Sequence, residues 1–259
     1  MSVFRTTTTG VRVDAITTID AAVDLASDAL RQRSRFLMTF VNPGTAAYLQ
    51  RRPQDAALFE AFDSVAPDGI AMAMAIRLVH RRPAMRVSFD STALAPHIWR
   101  MAAERGSRIV LCGGQRGVAE CAKHQLVAAY PGLNIVGTFD GYAKQGWLIA
   151  EINKLAPEIV ICGMGTPLQE AFLLALSESG WQGVGFTCGG FLDQLSKGLQ
   201  YYPRWIDASN LRWAYRLAME PRRLWRRYLL DYPRFSLLLC KELVIGRGRG
   251  EQRATGDMR

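Results

Sequence analysis

The 259-residue sequence has few of the groups that build disulfide frameworks or metal sites. Its five cysteines (Cys112, Cys121, Cys162, Cys188 and Cys240) are odd in number and show no Cys-x-x-Cys spacing. Most lie inside apolar runs such as IVLC and IVIC, so they read as reduced, small core residues. The three histidines, His80, His97 and His124, share no ligand spacing, and no bound metal is expected. No run approaches the roughly 18 uninterrupted apolar residues that cross a bilayer. The opening MSVFRTTTTGVRVD lacks the apolar stretch of about 7–15 residues found in an export signal. These absences lead us to expect a cytoplasmic protein whose membrane contact is peripheral. Charged residues make up only 21% of the chain and hydrophobic ones 49%, which excludes a disordered polymer. The 23 glycines and 11 prolines exclude a collagen-like or linker-dominated chain.

Negative charge is also scarce. Asp+Glu number 23 against Lys+Arg 32, for a net charge of +9. The excess is not evenly spread. Residues 201–259 hold 13 Lys+Arg against 6 Asp+Glu, which leaves 19 against 17 in residues 1–200. The body is nearly neutral and the tail carries the field. We therefore expect a folded domain over 1–200, long enough to bury a core, and a basic helical appendage over 201–259. Past about residue 245 the Gly/Arg-rich GRGRGEQRATGDMR is expected to be disordered.

The body alternates short apolar strands with helical segments. RFLMTFVN (35–42) ends in a turn at Pro43-Gly44, and a mixed helical pattern covers 45–62. Pro67-Asp68-Gly69 reads as a turn and helix start. Strands at 107–112, 133–139, 158–162 and 183–188 run into glycine-containing turns, the first three followed by helices. Unbroken Val/Ile-rich strands alternating with helices predict a parallel sheet covered on both faces. Glycines at strand ends (Gly113-Gly114, Gly163, Gly165, Gly189) suit a cradle for phosphate at the carboxyl edge; they equally suit plain tight turns. In the tail, Leu211, Tyr215 and Ala218 share a helical face, with Arg212, Arg216, Arg223, Arg226 and Arg227 around it. That pattern fits a membrane-surface segment or a basic helix docked on the body.

Taken in order, the motifs resemble the WecG/TagA/CpsF family of bacterial glycosyltransferases. The resemblance rests on Asn42-Pro43, Asp68-Gly69, Arg86-Val87, the strand end LCGGQRGVAE, Gly165-Thr166-Pro167-Leu168-Gln169-Glu170, and the stretch from Trp213 to Arg226. It spans roughly residues 35 to 235. It implies an inverting, metal-independent and cofactor-free transferase with a Rossmann-like core. Such an enzyme moves a hexose-type sugar from a UDP-sugar to a polyprenyl-diphosphate-linked saccharide at the inner face of the cytoplasmic membrane. Carried over by position, Asp68 is the candidate general base, and Asn42, Arg86 and Gln169 fall on active-site positions. Arg216, Arg223 and Arg226 fall on appendage arginines that meet the diphosphate. The resemblance also makes residues 201–245 the segment that closes the site and meets the anionic membrane; homo-oligomerisation stays open.

The chemistry accommodates these residue types. Inverting transfer needs one carboxylate within about 2.6–3.2 Å of the acceptor hydroxyl and cations on the departing diphosphate. Asp68 also reads as a plain helix N-cap, Gln169 as a surface residue, and Glu170 as a first-turn residue favoured by the helix dipole. The chain departs from the family at Phe40, where Thr is usual, at Ser88-Phe89-Asp90-Ser91, and at Tyr201-Tyr202-Pro203. The donor sugar consequently does not carry over, and the departures point toward an exopolysaccharide subgroup. Two other classes compete. A nucleic-acid-binding module is opposed by the neutral body. A NAD-type oxidoreductase is opposed by Gly113-Gly114-Gln115-Arg116-Gly117, which is not the dinucleotide fingerprint.

Overall fold

The computed structural model describes residues 3–203, 205–206, 212–219 and 221–256. Near the amino terminus, four two-residue strands form two small antiparallel pairs. β1 (Val3–Phe4) pairs with β4 (Ala15–Ile16), and β2 (Thr7–Thr8) with β3 (Val11–Arg12). Among the described residues, six further strands form the central sheet: β5 (Phe36–Val41), β6 (Ser64–Pro67), β7 (Arg108–Gly113), β8 (Asn134–Phe139), β9 (Ile159–Gly163) and β10 (Val184–Thr187). All pair in parallel, in the order β6-β5-β10-β9-β7-β8. This is the expected α/β, Rossmann-like sheet. β5 leads outward to β6, while its other neighbour, β10, is reached from β9. Connections thus diverge at the β5/β10 boundary, where open α/β sheets bind ligands beyond their carboxyl ends.

Alternation along the strands explains why both sheet faces are covered. Ile109 and Leu111 of β7, and Ile159 and Ile161 of β9, enter one core with Trp99, Phe186 and Leu192. Val110, Cys112, Val160 and Cys162 enter the other, with Phe59, Ile76 and Leu173. The helices that supply these layers are α1 (Ile19–Gln32), α2 (Pro43–Gln50), α3 (Pro53–Glu60), α4 (Ile70–His80), α5 (Leu94–Arg105), α6 (Val118–Ala129), α7 (Gln145–Leu155), α8 (Leu168–Glu178) and α9 (Phe191–Leu195). The helical pattern expected over 45–62 is two helices, because Pro53 cannot continue α2 and opens α3 instead. Burial pushes the Cys112 thiol up to about 12, and also raises Cys162 and Cys188 above the ordinary thiol value. They are protonated packing groups.

The carboxyl-terminal segment is helical and packs on the body. It comprises α10 (Arg212–Met219), α11 (Pro221–Arg226), a π-helical turn at Arg227–Asp231, and α12 (Tyr232–Gly256). Phe235 of α12 is buried in the second core. Arg51 at the end of α2 pairs with Asp231 at 2.7 Å, and Glu242 accepts from the Thr9 amide at 2.6 Å. No described helix is long and apolar enough to cross a membrane.

One strand of the central sheet was not legible beforehand. β6 has four residues beginning with Ser64, too few to show a period, and it is a strand because β5 pairs with it. A buried ion pair holds it there. Arg12 and Asp14 are 2% and 3% exposed and meet at 3.2 Å. Arg12 also donates to the carbonyls of Phe62 (2.7 Å) and Asp63 (3.1 Å), while Asp14 accepts from the Val65 amide at 2.9 Å. Removing one partner leaves a buried charge without compensation. Asp14→Ala is therefore expected to lower stability by about 3–5 kcal/mol in denaturant unfolding. The double variant Arg12→Met/Asp14→Leu should lose less than that single change, and the reverse ranking would refute the clamp.

Candidate active site

Parallel pairing sets the geometry of the site. Val41 of β5 is in register with Pro67 of β6, so the next residues of the two strands, Asn42 and Asp68, emerge side by side. Asn42 caps α2, accepting the Thr45 amide on Oδ1 at 3.0 Å, and this turns its Nδ2 toward Asp68 Oδ2 at 3.2 Å. The Ser88 hydroxyl donates to the other carboxylate oxygen, Oδ1, at 2.5 Å. Asp68 is thus fixed from both sides, yet each oxygen retains a lone pair for a further donor. It does not act as a side-chain cap: helix α4 starts at Ile70 after Gly69, with no capping hydrogen bond.

Arg86 is fastened by the segment in which the chain departs from the family pattern. Its Nε donates to Ser88 Oγ at 3.1 Å, Nη1 to Thr92 at 3.4 Å, and Nη2 to the Asp90 carboxylate. Ser88 therefore links the guanidinium to Asp68. The sequence reading named Ser88 only as part of the Ser88–Ser91 departure and gave it no role of its own.

These residues border a cleft of about 790 Å³ at the carboxyl edge. Asn42, Asp68, Arg86 and Gln169 all line it, as do Phe40, Phe89, Tyr48 and Thr187. So do Gly44 near the start of α2 and Ile70 and Ala71 at the start of α4, whose amide groups favour an anion. Phe40 and Phe89, two of the departures from the family pattern, pack together with centroids 6.2 Å apart; Phe89 also meets Trp99, Phe186 and Phe191.

The strand-end glycines divide into two groups. Gly165 and Gly189 line the cleft. Gly113 and Gly114, at the end of β7, and Gly163, the last residue of β9, are not in its lining. A Cβ on Gly113 would stand 2.4 Å from the Gly163 carbonyl oxygen, and one on Gly163 would stand 2.7 Å from the Gly189 oxygen. Gly113 and Gly163 allow backbones to touch.

Gln169 is 5% exposed and Glu170 fully buried, so neither is a surface residue. The Gln169 carbonyl accepts the Gly189 amide at 3.0 Å, and its Nε2 donates to Glu170 Oε1 at 2.9 Å. Glu170 Oε1 also receives the Thr39 hydroxyl at 2.9 Å, and burial raises its carboxyl above the usual range. Both ends of the Gln169 amide are occupied in holding the Gly189 loop.

The carboxyl-terminal segment reaches the cleft through Tyr228, Asp231 and Tyr232; the sequence reading took Tyr228 as an interface aromatic and did not name the other two. Arg226 lies at the surface, its guanidinium 5.5 Å from the Trp225 ring centroid, and it is not in the cleft wall. The side chains of Arg216 and Arg223 lie outside the described residues.

Residues 6–249 match the model of the glycosyl transferase WecG/TagA/CpsF family. The chain is 28% identical over 213 residues to the UDP-Gal:alpha-D-GlcNAc-diphosphoundecaprenol beta-1,4-galactosyltransferase of Shigella boydii, covering 81% of this chain and 87% of the relative. It is 31% identical over 180 residues to the N-acetylglucosaminyldiphosphoundecaprenol N-acetyl-beta-D-mannosaminyltransferase of Bacillus subtilis (strain 168), covering 69% and 68%. An enzyme of the same name from Bacillus spizizenii is 27% identical over 213 residues, covering 82% and 80%. The match covers the whole described body and the candidate active site with it: this chain is a glycosyltransferase that belongs to the WecG/TagA/CpsF family.

Proposed function

We propose that the protein transfers a hexose-type sugar, with inversion, from a UDP-sugar to a saccharide carried on polyprenyl diphosphate, and that Asp68 is the general base. The observation that carries this reading is the Asp68 carboxylate, aimed into the cleft and oriented by Asn42 and Ser88. The relatives support the acceptor, since the printed names of all three contain an N-acetylglucosamine residue on diphosphoundecaprenol.

In this mechanism Asp68 takes the proton of the acceptor hydroxyl as its oxygen forms a bond to the anomeric carbon from the face opposite the diphosphate. The anomeric C–O bond breaks, and its electron pair leaves on UDP. Arg86, at the rim beside Asp68, and the amide ends of α2 and α4 stabilise that growing negative charge, with no metal required. The appendage arginines Arg216, Arg223 and Arg226 complete the anion site when the segment closes. The same basic segment holds the enzyme on the anionic inner face of the cytoplasmic membrane, during assembly of a surface polymer such as an exopolysaccharide.

Asp68→Asn should fold with an unchanged melting temperature yet lose about 10²–10⁴-fold in kcat; wild-type turnover would remove Asp68 from the base role. Replacing Arg216, Arg223 and Arg226 together by Ala should cut turnover by about 10²-fold or more and weaken binding to anionic vesicles, measured by sedimentation. Turnover should persist in excess chelator, and thermal stabilisation by a panel of UDP-sugars, ranked against UDP alone, identifies the donor.

A further inference from the structure

Helix α4 is apolar on both sides. Met72, Ala73, Ala75 and Ile76 are buried in the core, as an amphipathic helix requires. Yet Ile70, Met74 and Leu78 are 54%, 50% and 55% exposed. A scattered exposed apolar side chain is ordinary, but three at a spacing of four residues form a continuous ridge over two turns. At 1.5 Å per residue the ridge is about 12 Å long. Its first residue, Ile70, is part of the cleft wall and lies two residues from Asp68. The carboxyl end of the same helix presents exposed Arg77 and Arg81, side chains that suit phosphate headgroups.

The acceptor proposed above is amphipathic. Its saccharide and diphosphate belong in a wall of Asp68, Arg86 and Asp90, and its hydrocarbon chain does not, since those groups would lose hydration to it without gaining partners. The chain has to leave the cleft over an apolar rim, and the α4 ridge is continuous with the cleft at Ile70.

We propose that the outward face of α4, formed by Ile70, Met74 and Leu78, is the track along which the first isoprene units of a polyprenyl-diphosphate acceptor run from the cleft to the bilayer. This rests on the lipid-linked acceptor of the preceding section and adds where its chain lies. A ridge of flexible Met and Leu side chains suits a ligand with repeated methyl branches and no polar group. The contact distinguishes acceptors by chain rather than by sugar, so it acts on the affinity for the lipid-linked acceptor and not on proton transfer.

The test is the full-length double variant Met74→Ser/Leu78→Ser, which leaves the cleft wall intact. Its kcat/KM is compared for two acceptors, N-acetylglucosamine diphosphate on undecaprenol and the same head on a short, water-soluble alkyl chain. With the long chain kcat/KM should fall roughly tenfold through KM, while the short-chain value and the UDP thermal shift stay at wild-type levels. The conservative Met74→Leu/Leu78→Met should retain the preference for the long chain. An equal fall with both acceptors, or a fall with neither, overturns the track. So does a wild-type dimer that the Ser variant dissociates in light scattering, which would make the face a contact between copies. Loss of vesicle binding by the variant with chain preference intact overturns it in favour of a simple bilayer contact. If wild-type enzyme transfers sugar to neither acceptor, the acceptor reading itself has failed, an outcome distinct from equal transfer to both.

Discussion

The register between β5 and β6 is the constraint on which the candidate site depends. Because Val41 stands opposite Pro67, the strands end together, and the first residues beyond them, Asn42 and Asp68, are neighbours. A slip of one residue would turn alternate side chains to the opposite face and separate that pair. Four residues of β6 are a weak basis for such precision. The buried Arg12–Asp14 pair supplies the rest, holding the carbonyls of Phe62 and Asp63 and the amide of Val65. A clamp at one end of a short strand thereby sets the position of a carboxylate at the other.

From that pair the site is built outward. Ser88 bridges Asp68 and Arg86, and Asp90 holds the guanidinium in turn. The proposed proton acceptor and the cation are thus mechanically connected, which suits a reaction in which deprotonation and departure of an anion are concerted. The lining also includes Phe40 and Phe89, whose rings pack together. The carboxyl-terminal segment closes part of the rim through Tyr228, Asp231 and Tyr232, and the Arg51–Asp231 pair fastens it to α2. The positive tail is therefore joined to the cleft, and the charge asymmetry of the chain has a spatial counterpart.

Much of this was legible one residue at a time. The α/β class followed from strand and helix periods, and the parallel sheet from Val/Ile runs without polar alternation. Asp68, Asn42, Arg86 and Gln169 were picked out by motif, and all four line one cleft. What escaped was relational. Gln169, whose helix-start position alone reads as surface, is buried with Glu170 because the loop after β10 brings Gly189, and β5 brings Thr39, onto them. Gly113 and Gly163 carry the same local signal as Gly165, yet they stand where neighbouring strand ends come into close backbone contact.

By itself, the sequence determined the element types, the split between a neutral body and a basic tail, and the identity of the residues able to do acid–base and anion chemistry. Each of these follows from local periodicity, composition or side-chain type. Only the tertiary structure decided which glycines face the cleft, that Ser88 joins Asp68 to Arg86, and that α4 leaves an apolar ridge uncovered. Those facts depend on which strands are neighbours and in what register. Contacts between residues 20 to 150 positions apart leave no local pattern from which they could be read.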